Sequence, residues 1–163
     1  MDYIVKLAIV LLMFIYTWFF QVQNQEWDLI RALLKDANNM AVHDAVLELN
    51  QYELSNGKIV IDPDEAYGTF VETLERNLGL SNDLAPKIGS RLHSKVKIVD
   101  FIIIDDMSNV NFPFLYENSQ YHITKFLNGP AVIAIIETEH PKLISRNKKQ
   151  APIRVPAIQE YKK

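Results

Sequence analysis

The residues that could carry chemistry are few and lie far apart along the chain. The four histidines are at positions 43, 93, 122 and 140, and no two of them have the spacing of a metal-ligand pair. His43 and Asp44 are adjacent, but they fall in a stretch with helical periodicity, where consecutive side chains point in different directions. The sequence therefore favours a helix-surface pair over a catalytic dyad at this position.

Two acidic clusters are the other candidates for binding a cation. Asp105 and Asp106 end a predicted strand, and the segment 62–65, Asp-Pro-Asp-Glu, begins a predicted helix. Turn and capping roles explain these carboxylates without a metal. The chain has no cysteine and only five glycines, and it carries neither a phosphate-binding loop nor a nucleophile-elbow motif. We therefore expect no enzyme activity, no cofactor and no functional metal site.

Charge is distributed unevenly along the 163 residues, which carry a net charge of −3. Residues 141–163 contain seven Lys or Arg and one acid, a balance of +6, so the rest of the chain carries −9. An acidic body of this kind is not expected to bind nucleic acid. We predict that residues 141–163 form a basic, proline-containing tail outside the body, so that truncation after Glu139 leaves the melting temperature nearly unchanged. Anionic cell-wall polymer or lipid headgroups are the expected ligands of this tail.

The first strongly patterned segment is an apolar stretch near the N-terminus, with residues 1–3 before it. Lys6 is the only charged residue between Ile4 and Phe20, and these 17 residues span roughly 25 Å as a helix, the short end for a bilayer core. Aromatic residues crowd its C-terminal end, where a membrane interface would lie. We predict a membrane anchor over residues 4–22, with lipid contacts from the following side chains: Ile4, Leu7, Leu11, Phe14, Trp18 and Phe19.

The end of the apolar stretch favours a retained anchor over a cleaved signal, because no small-residue cleavage site follows Phe20. A buried helix of a soluble protein is the third alternative, although few soluble folds accommodate aromatic residues on all sides of a helix. Lys6 and the terminal amine favour a cytoplasmic N-terminus and an extracytoplasmic domain over residues 23–140 in the cell membrane. Arg31 and Lys35 follow the span closely, so the reverse topology stays open.

Helical periodicity continues beyond the span, and one helix is expected to run to about residue 54. Its apolar stripe has steps of three and four and consists of Trp27, Ile30, Leu34, Ala37, Ala41, Ala45 and Leu49. The alanines form a row of small side chains beside Asp44. This row, Ala37, Ala41 and Ala45 with Asp44, packs the helix on its own domain or is an interaction face for a partner helix, and the two roles are compatible. Asp44 is either solvated or paired with a cation on a neighbouring helix.

The remaining segments predict an α+β fold with a small, largely antiparallel sheet. Asp62 and Pro63 are good first residues for a second helix, and Gly79 is suited to its C-terminal cap. Residues 58–61 read as a short strand, and longer strands are predicted at 95–105, 119–127 and 131–138. The last of these is almost continuously apolar, which is typical of a central strand covered on both faces.

Three segments together resemble the TadE-like pilins of tight-adherence pilus systems. They are "DANNMAVHDAVLELN" after the anchor, the helix "AYGTFVETLERNLGL", and the turn and strand "LNGPAVIAII". The resemblance implies a structural role as a minor pilin or an assembly-machine component, with other pilin-like subunits or machine membrane proteins as partners. Two features depart from the family: only Met1, Asp2 and Tyr3 precede the span, and no glutamate lies near its start. Either the protein is not processed by a prepilin peptidase, or this sequence begins after processing. An anchored extracytoplasmic binding or accessory module outside any filament is the alternative function.

Overall fold

The computed structural model describes residues 2–140 and 151–162, and Asp2 by its backbone only. The chain forms a helix that projects from a three-layered α+β body. Its helices are α1 (Asp2–Ala45), α2 (Gln51–Ser55) and α3 (Pro63–Leu78). Its strands are β1 (Lys97–Ile104), β2 (Phe114–Asn118), β3 (Ile123–Leu127), β4 (Ala131–Thr138) and β5 (Ile153–Glu160).

The first layer consists of α3 and the C-terminal half of α1, packed side by side. Asp62 caps α3 by accepting hydrogen bonds from the backbone N–H groups of Asp64 and Glu65, and Gly79 ends it with φ = 64°, a left-handed conformation that suits glycine. Thr73 of α3 bonds to Asp44 of α1, and Thr69 bonds to Glu48 just beyond the end of α1, so the two helices run antiparallel. The apolar residues of α3 predicted to share one face are all buried: Ala66, Phe70, Leu74 and Leu78.

The second layer is an antiparallel sheet in the order β1-β4-β5. Strand β4 lies in its centre and is covered on both faces, as its continuous apolar sequence predicts. Val132, Ala134 and Ile136 pack with the helices. Ala131, Ile133 and Ile135 join a second cluster on the opposite face, together with residues of the hairpin β2–β3, which forms the third layer.

The predicted α+β class, with a long N-terminal helix, a second amphipathic helix and a small antiparallel sheet, is confirmed. Two local expectations are wrong. Helix α1 ends at Ala45 and not near residue 54, because residues 48–50 leave the helix to bond with 60–62. Asn50 then caps the separate helix α2 by accepting from the Glu53 N–H, and the expected strand over 58–61 is only a single bridge at Ile61.

The prediction that residues 141–163 form a tail outside the body is wrong for its C-terminal part. Residues 153–160 are strand β5, which pairs with β4 along its full length. Ile153, Val155 and Ala157 are at most 4% exposed and pack against the helices. The part of the tail at 141–150 lies outside the described residues. The boundary of the body therefore extends to the end of β5.

Truncation after His140 is expected to abolish cooperative unfolding, because β4 loses a partner strand and α1 loses part of the surface on which it packs. Burial of an Ile or Val side chain contributes roughly 1.5–3 kcal/mol each, against a typical total stability of about 5–15 kcal/mol. Thermal unfolding of the detergent-solubilised chain by circular dichroism measures the effect.

A chain that ends at Tyr161 is the control, because it keeps all of β5 and loses only two lysines. Its melting temperature should stay near that of the full chain. A sharp, unshifted transition after truncation at His140 would restore the tail interpretation.

Candidate functional site: the N-terminal helix

The N-terminal half of α1 is not buried among the described residues and is apolar on nearly all sides. Every described side chain from Tyr3 to Val22 is exposed, including all of the predicted anchor residues: Ile4, Leu7, Leu11, Phe14, Trp18 and Phe19. By length and composition this helix can cross a membrane. None of the residues in its most apolar stretch of 18 is buried in the body. Thr17 donates its hydroxyl to the carbonyls of Met13 and Phe14, so its polar group is satisfied within the helix.

The same helix continues into the body without a glycine or proline to interrupt it. Ile30 is the first of its residues to be buried, at 2% exposure, and Leu34 is fully buried. Between Val22 and Ile30 the helix carries mostly polar residues, which is consistent with a short exposed connection between the span and the body. The position of the body relative to the span is therefore set by the helix itself.

The alanine row seats α1 on its own domain and is not an open interaction face. Ala37, Ala41 and Ala45 are 3%, 0% and 0% exposed and belong to the main hydrophobic core. Their small side chains let α1 approach α3 and the sheet closely. The hypothesis that this row faces a partner helix is therefore wrong, because the protein's own elements occupy it.

Asp44 pairs with the neighbouring helix α3, which the sequence left as one of two alternatives. Its carboxylate accepts from the Thr73 hydroxyl at 2.8 Å and lies 3.5 Å from the Arg76 guanidinium and 3.4 Å from the His43 ring. The Asp44 and Arg76 side chains are 36% and 64% exposed, so their ion pair contributes little to stability. The His43–Asp44 pair lies at the surface beside α3.

The acidic clusters have structural partners in the fold. Asp105 accepts from the backbone N–H groups of Ile61 and Met107, and Asp106 accepts from that of Ile59. These bonds join the end of β1 to the segment that precedes α3. Within residues 2–140 and 151–162, no group of three His, Asp or Glu side chains is arranged to hold a metal ion.

A groove of about 730 Å³ lies between α3, the loop that follows it and the adjacent ends of β1 and β4. Val71, Leu84 and Ile98 give it an apolar floor, and Lys95 and Glu139 are among its charged residues. At its rim the Ser81 hydroxyl donates to Asp83, and this bond lowers the pKa of the Asp83 carboxyl. The described residues of the groove carry both signs of charge, and they include no set of groups arranged for acid–base or nucleophilic catalysis.

A cluster that sequence reasoning missed surrounds Trp27, where α1 enters the body. The Trp27 ring stacks on His140, with centroids 6.4 Å apart, and the Arg31 guanidinium lies 5.3 Å from the ring centroid. The i, i+4 spacing of Trp27 and Arg31 on a helix was the available signal. The contact with His140 depends on the fold, because 113 residues separate it from Trp27 in sequence.

Ala41→Leu is expected to destabilise the body by roughly 1–3 kcal/mol, because overpacking a filled contact forces side chains and backbone apart. Denaturant unfolding in detergent measures this loss. Ala32→Leu is the matched control, since Ala32 is an exposed alanine on the same helix. Equal stability of the two variants would show that the row is open and would restore the partner-helix hypothesis.

No protein-family model matches this chain, and neither a curated protein nor a solved structure matches it. The likeness to TadE-like pilins therefore depends on the layout of the segments alone. Helix α1 and its surroundings supply the physical grounds for assigning a function.

Proposed function

We propose that the protein is a membrane-anchored, pilin-like assembly subunit, either a minor pilin or a component of a pilus or secretion machine. One observation carries the proposal: a single helix, α1, is wholly exposed and apolar in its first half and buried in the body in its second half. A helix of this kind connects contacts made in the membrane directly to the orientation of the body. TadE-like pilins, which the sequence resembles in layout, have the same arrangement.

The apolar side chains in the exposed half of α1 require an apolar environment in place of water. Phe14 and Trp18 are 66% and 55% exposed, and full burial of a large apolar side chain is worth roughly 1.5–3 kcal/mol. Lipid covers such a helix in a bilayer, and a second span can replace part of the lipid. Membrane lipid and other pilin-like subunits or machine membrane proteins are therefore the proposed partners.

The position of the body favours one side of the span for contact with another helix. In a straight helix of 3.6 residues per turn, Leu7, Leu11, Phe14 and Trp18 share one face. The buried stripe that begins at Ile30 points to the opposite side of the axis, so the body overhangs that side. A neighbouring span can approach along the first face without a clash between the two bodies.

An anchored binding or accessory module outside any filament is the second candidate. Two observations favour it. The small residues that promote close packing of membrane helices are few in the span, where Ala8 and Thr17 stand nine positions apart. The groove beside Leu84 and Ile98 is also large enough to accept a short peptide or another ligand.

A cysteine scan of the span separates the two candidates, because the chain has no cysteine of its own. Single cysteines at Leu7, Leu11, Phe14 and Trp18 are expected to form disulfide-linked products on mild oxidation of membranes. Cysteines on the opposite face, under the overhang of the body, should form far fewer; these positions are Ile9, Met13, Tyr16 and Phe20. Gel electrophoresis without reductant measures the products.

A lone anchor meets its neighbours at random. Cysteines on the two faces of the span would then give similar, small amounts of disulfide-linked product. That result would contradict assembly through α1 and leave the accessory module as the better candidate. Products of a mass other than the dimer would identify a different membrane protein as the partner.

We place the N-terminus in the cytoplasm and the body outside the cell membrane. Ser55 is exposed and lies on α2, beyond the buried half of α1. A single cysteine at Ser55 should react with a membrane-impermeant maleimide in intact cells. Labelling only after permeabilisation would reverse the topology and remove the pilin-like role with it.

A further inference from the structure

The end of the body nearest the span carries an aromatic and basic cluster, formed by Trp27, Arg31 and His140. It lies at the junction of α1 with the end of β4. We propose that this cluster lies in the phospholipid headgroup layer of the membrane that α1 spans, and that Arg31 binds lipid phosphate there. The proposal assumes the anchor assigned above but not the assembly role.

The first support is the distance along α1. If the span ends at Val22, Trp27 follows five residues later, and five residues of helix rise about 7.5 Å. The headgroup region on each side of a bilayer is roughly 5–8 Å thick, from the difference between the full thickness and the hydrocarbon core. The Trp27 backbone therefore lies at about the outer edge of the headgroup layer, and its side chain, which tilts toward the helix N-terminus, points back into that layer.

The second support is the direction of the Arg31 side chain. Its guanidinium lies 5.3 Å from the centroid of the Trp27 ring, one helical turn closer to the N-terminus than its own backbone. The side chain thus extends toward the span and brings its charge to the level of Trp27. Long basic side chains reach toward the membrane interface in this way.

The third support is the chemistry of the two side chains. Tryptophan is enriched at membrane interfaces, because its ring is apolar and its N–H is polar. The guanidinium fork suits bidentate contact with phosphate oxygens. Among the described residues Arg31 forms no ion pair, whereas Lys95, Lys97 and Arg154 in the same end of the body each pair with a carboxylate.

Charges of both signs lie near the cluster: Lys35 and Arg154 line one cavity with Arg31, and Arg154 is paired with Glu137. The acidic residues near the cluster are Glu26 and Asp28, which flank Trp27 in sequence, and the exposed Glu139, which precedes His140. The basic residue Lys35 is one helical turn beyond Arg31 on α1. The described charges therefore do not form a broadly basic patch. Contact with the membrane is expected to depend on the pairing of Arg31 with phosphate, which both zwitterionic and anionic phospholipids carry.

The chain has only two tryptophans, so each can be observed alone. The full-length protein is reconstituted into phosphatidylcholine vesicles that contain either a headgroup-attached or an acyl-chain spin-labelled lipid. In Trp18→Phe, the fluorescence of Trp27 should be quenched more by the headgroup label than by the acyl-chain label. In Trp27→Phe, Trp18 should be quenched more by the acyl-chain label, because it lies four residues inside the end of the span.

Substitution of Arg31 tests the phosphate contact. Arg31→Gln on the Trp18→Phe background should lose most of the extra headgroup quenching of Trp27. Lys58→Gln on the same background is the matched control, because Lys58 is an exposed cation at the far end of the body, beside Ile59. It should leave the quenching unchanged.

The outcomes are distinguishable. Trp18 quenched by the acyl-chain label while Trp27 is quenched by neither label would overturn the headgroup position and leave the anchor standing. Full quenching of Trp27 in Arg31→Gln would overturn the role of Arg31. The absence of acyl-chain quenching of Trp18 would overturn the anchor itself, and the cysteine scan reports separately on assembly.

Discussion

In the proposed anchored protein, one continuous backbone in helix α1 lies partly in lipid and partly in the folded body. In lipid every backbone N–H and C=O group needs an internal partner, and an unbroken α-helix supplies those partners. In the body the same ladder of hydrogen bonds continues, since no glycine or proline occurs between residues 2 and 45. A break at the junction would free the body to rotate against the span. Because there is none, the side chains that α1 buries in the core also determine which face of the span points away from the body.

The packing of α1 against the sheet depends on a buried side-chain amide as well as on apolar contacts. Asn38 is fully buried, and its amide nitrogen donates to the carbonyls of Ala134 in β4 and Val155 in β5, at 3.2 and 3.0 Å. One side chain of α1 thus bonds to both neighbouring strands. Its amide oxygen has no partner among the described residues, so this contact combines satisfied donors with an unsatisfied acceptor. Sliding α1 along the sheet by one turn would separate the donors from both carbonyls, so Asn38 fixes the register of the helix.

Elements with strong local signals were predictable from the sequence, and elements that depend on distant partners were not. Helix α3 has a capping aspartate, a first-turn proline and a terminal glycine, and strand β4 has a continuous apolar run. Strand β5 has no such signal: Arg154 and Pro156 separate its buried residues Ile153, Val155 and Ala157, and the segment lies in a basic, proline-containing context. Its strand character follows from pairing with β4. The Trp27 cluster and the burial of the alanine row likewise depend on which elements meet, which periodicity alone does not determine.

If the protein assembles as proposed, the edges of the sheet give a physical reason to favour α1 as the contact between subunits. Subunits anchored in one membrane share an orientation, so two sheets can join edge to edge only by placing β1 of one beside β5 of the next. Both strands run antiparallel to β4, so this pairing would be parallel. Pro156 removes a hydrogen-bond donor from the middle of the β5 edge, as is common in strands that must not be extended. Because the alanine row is already buried in the core, the proposed assembly would use the exposed N-terminal half of α1 to bring two subunits together.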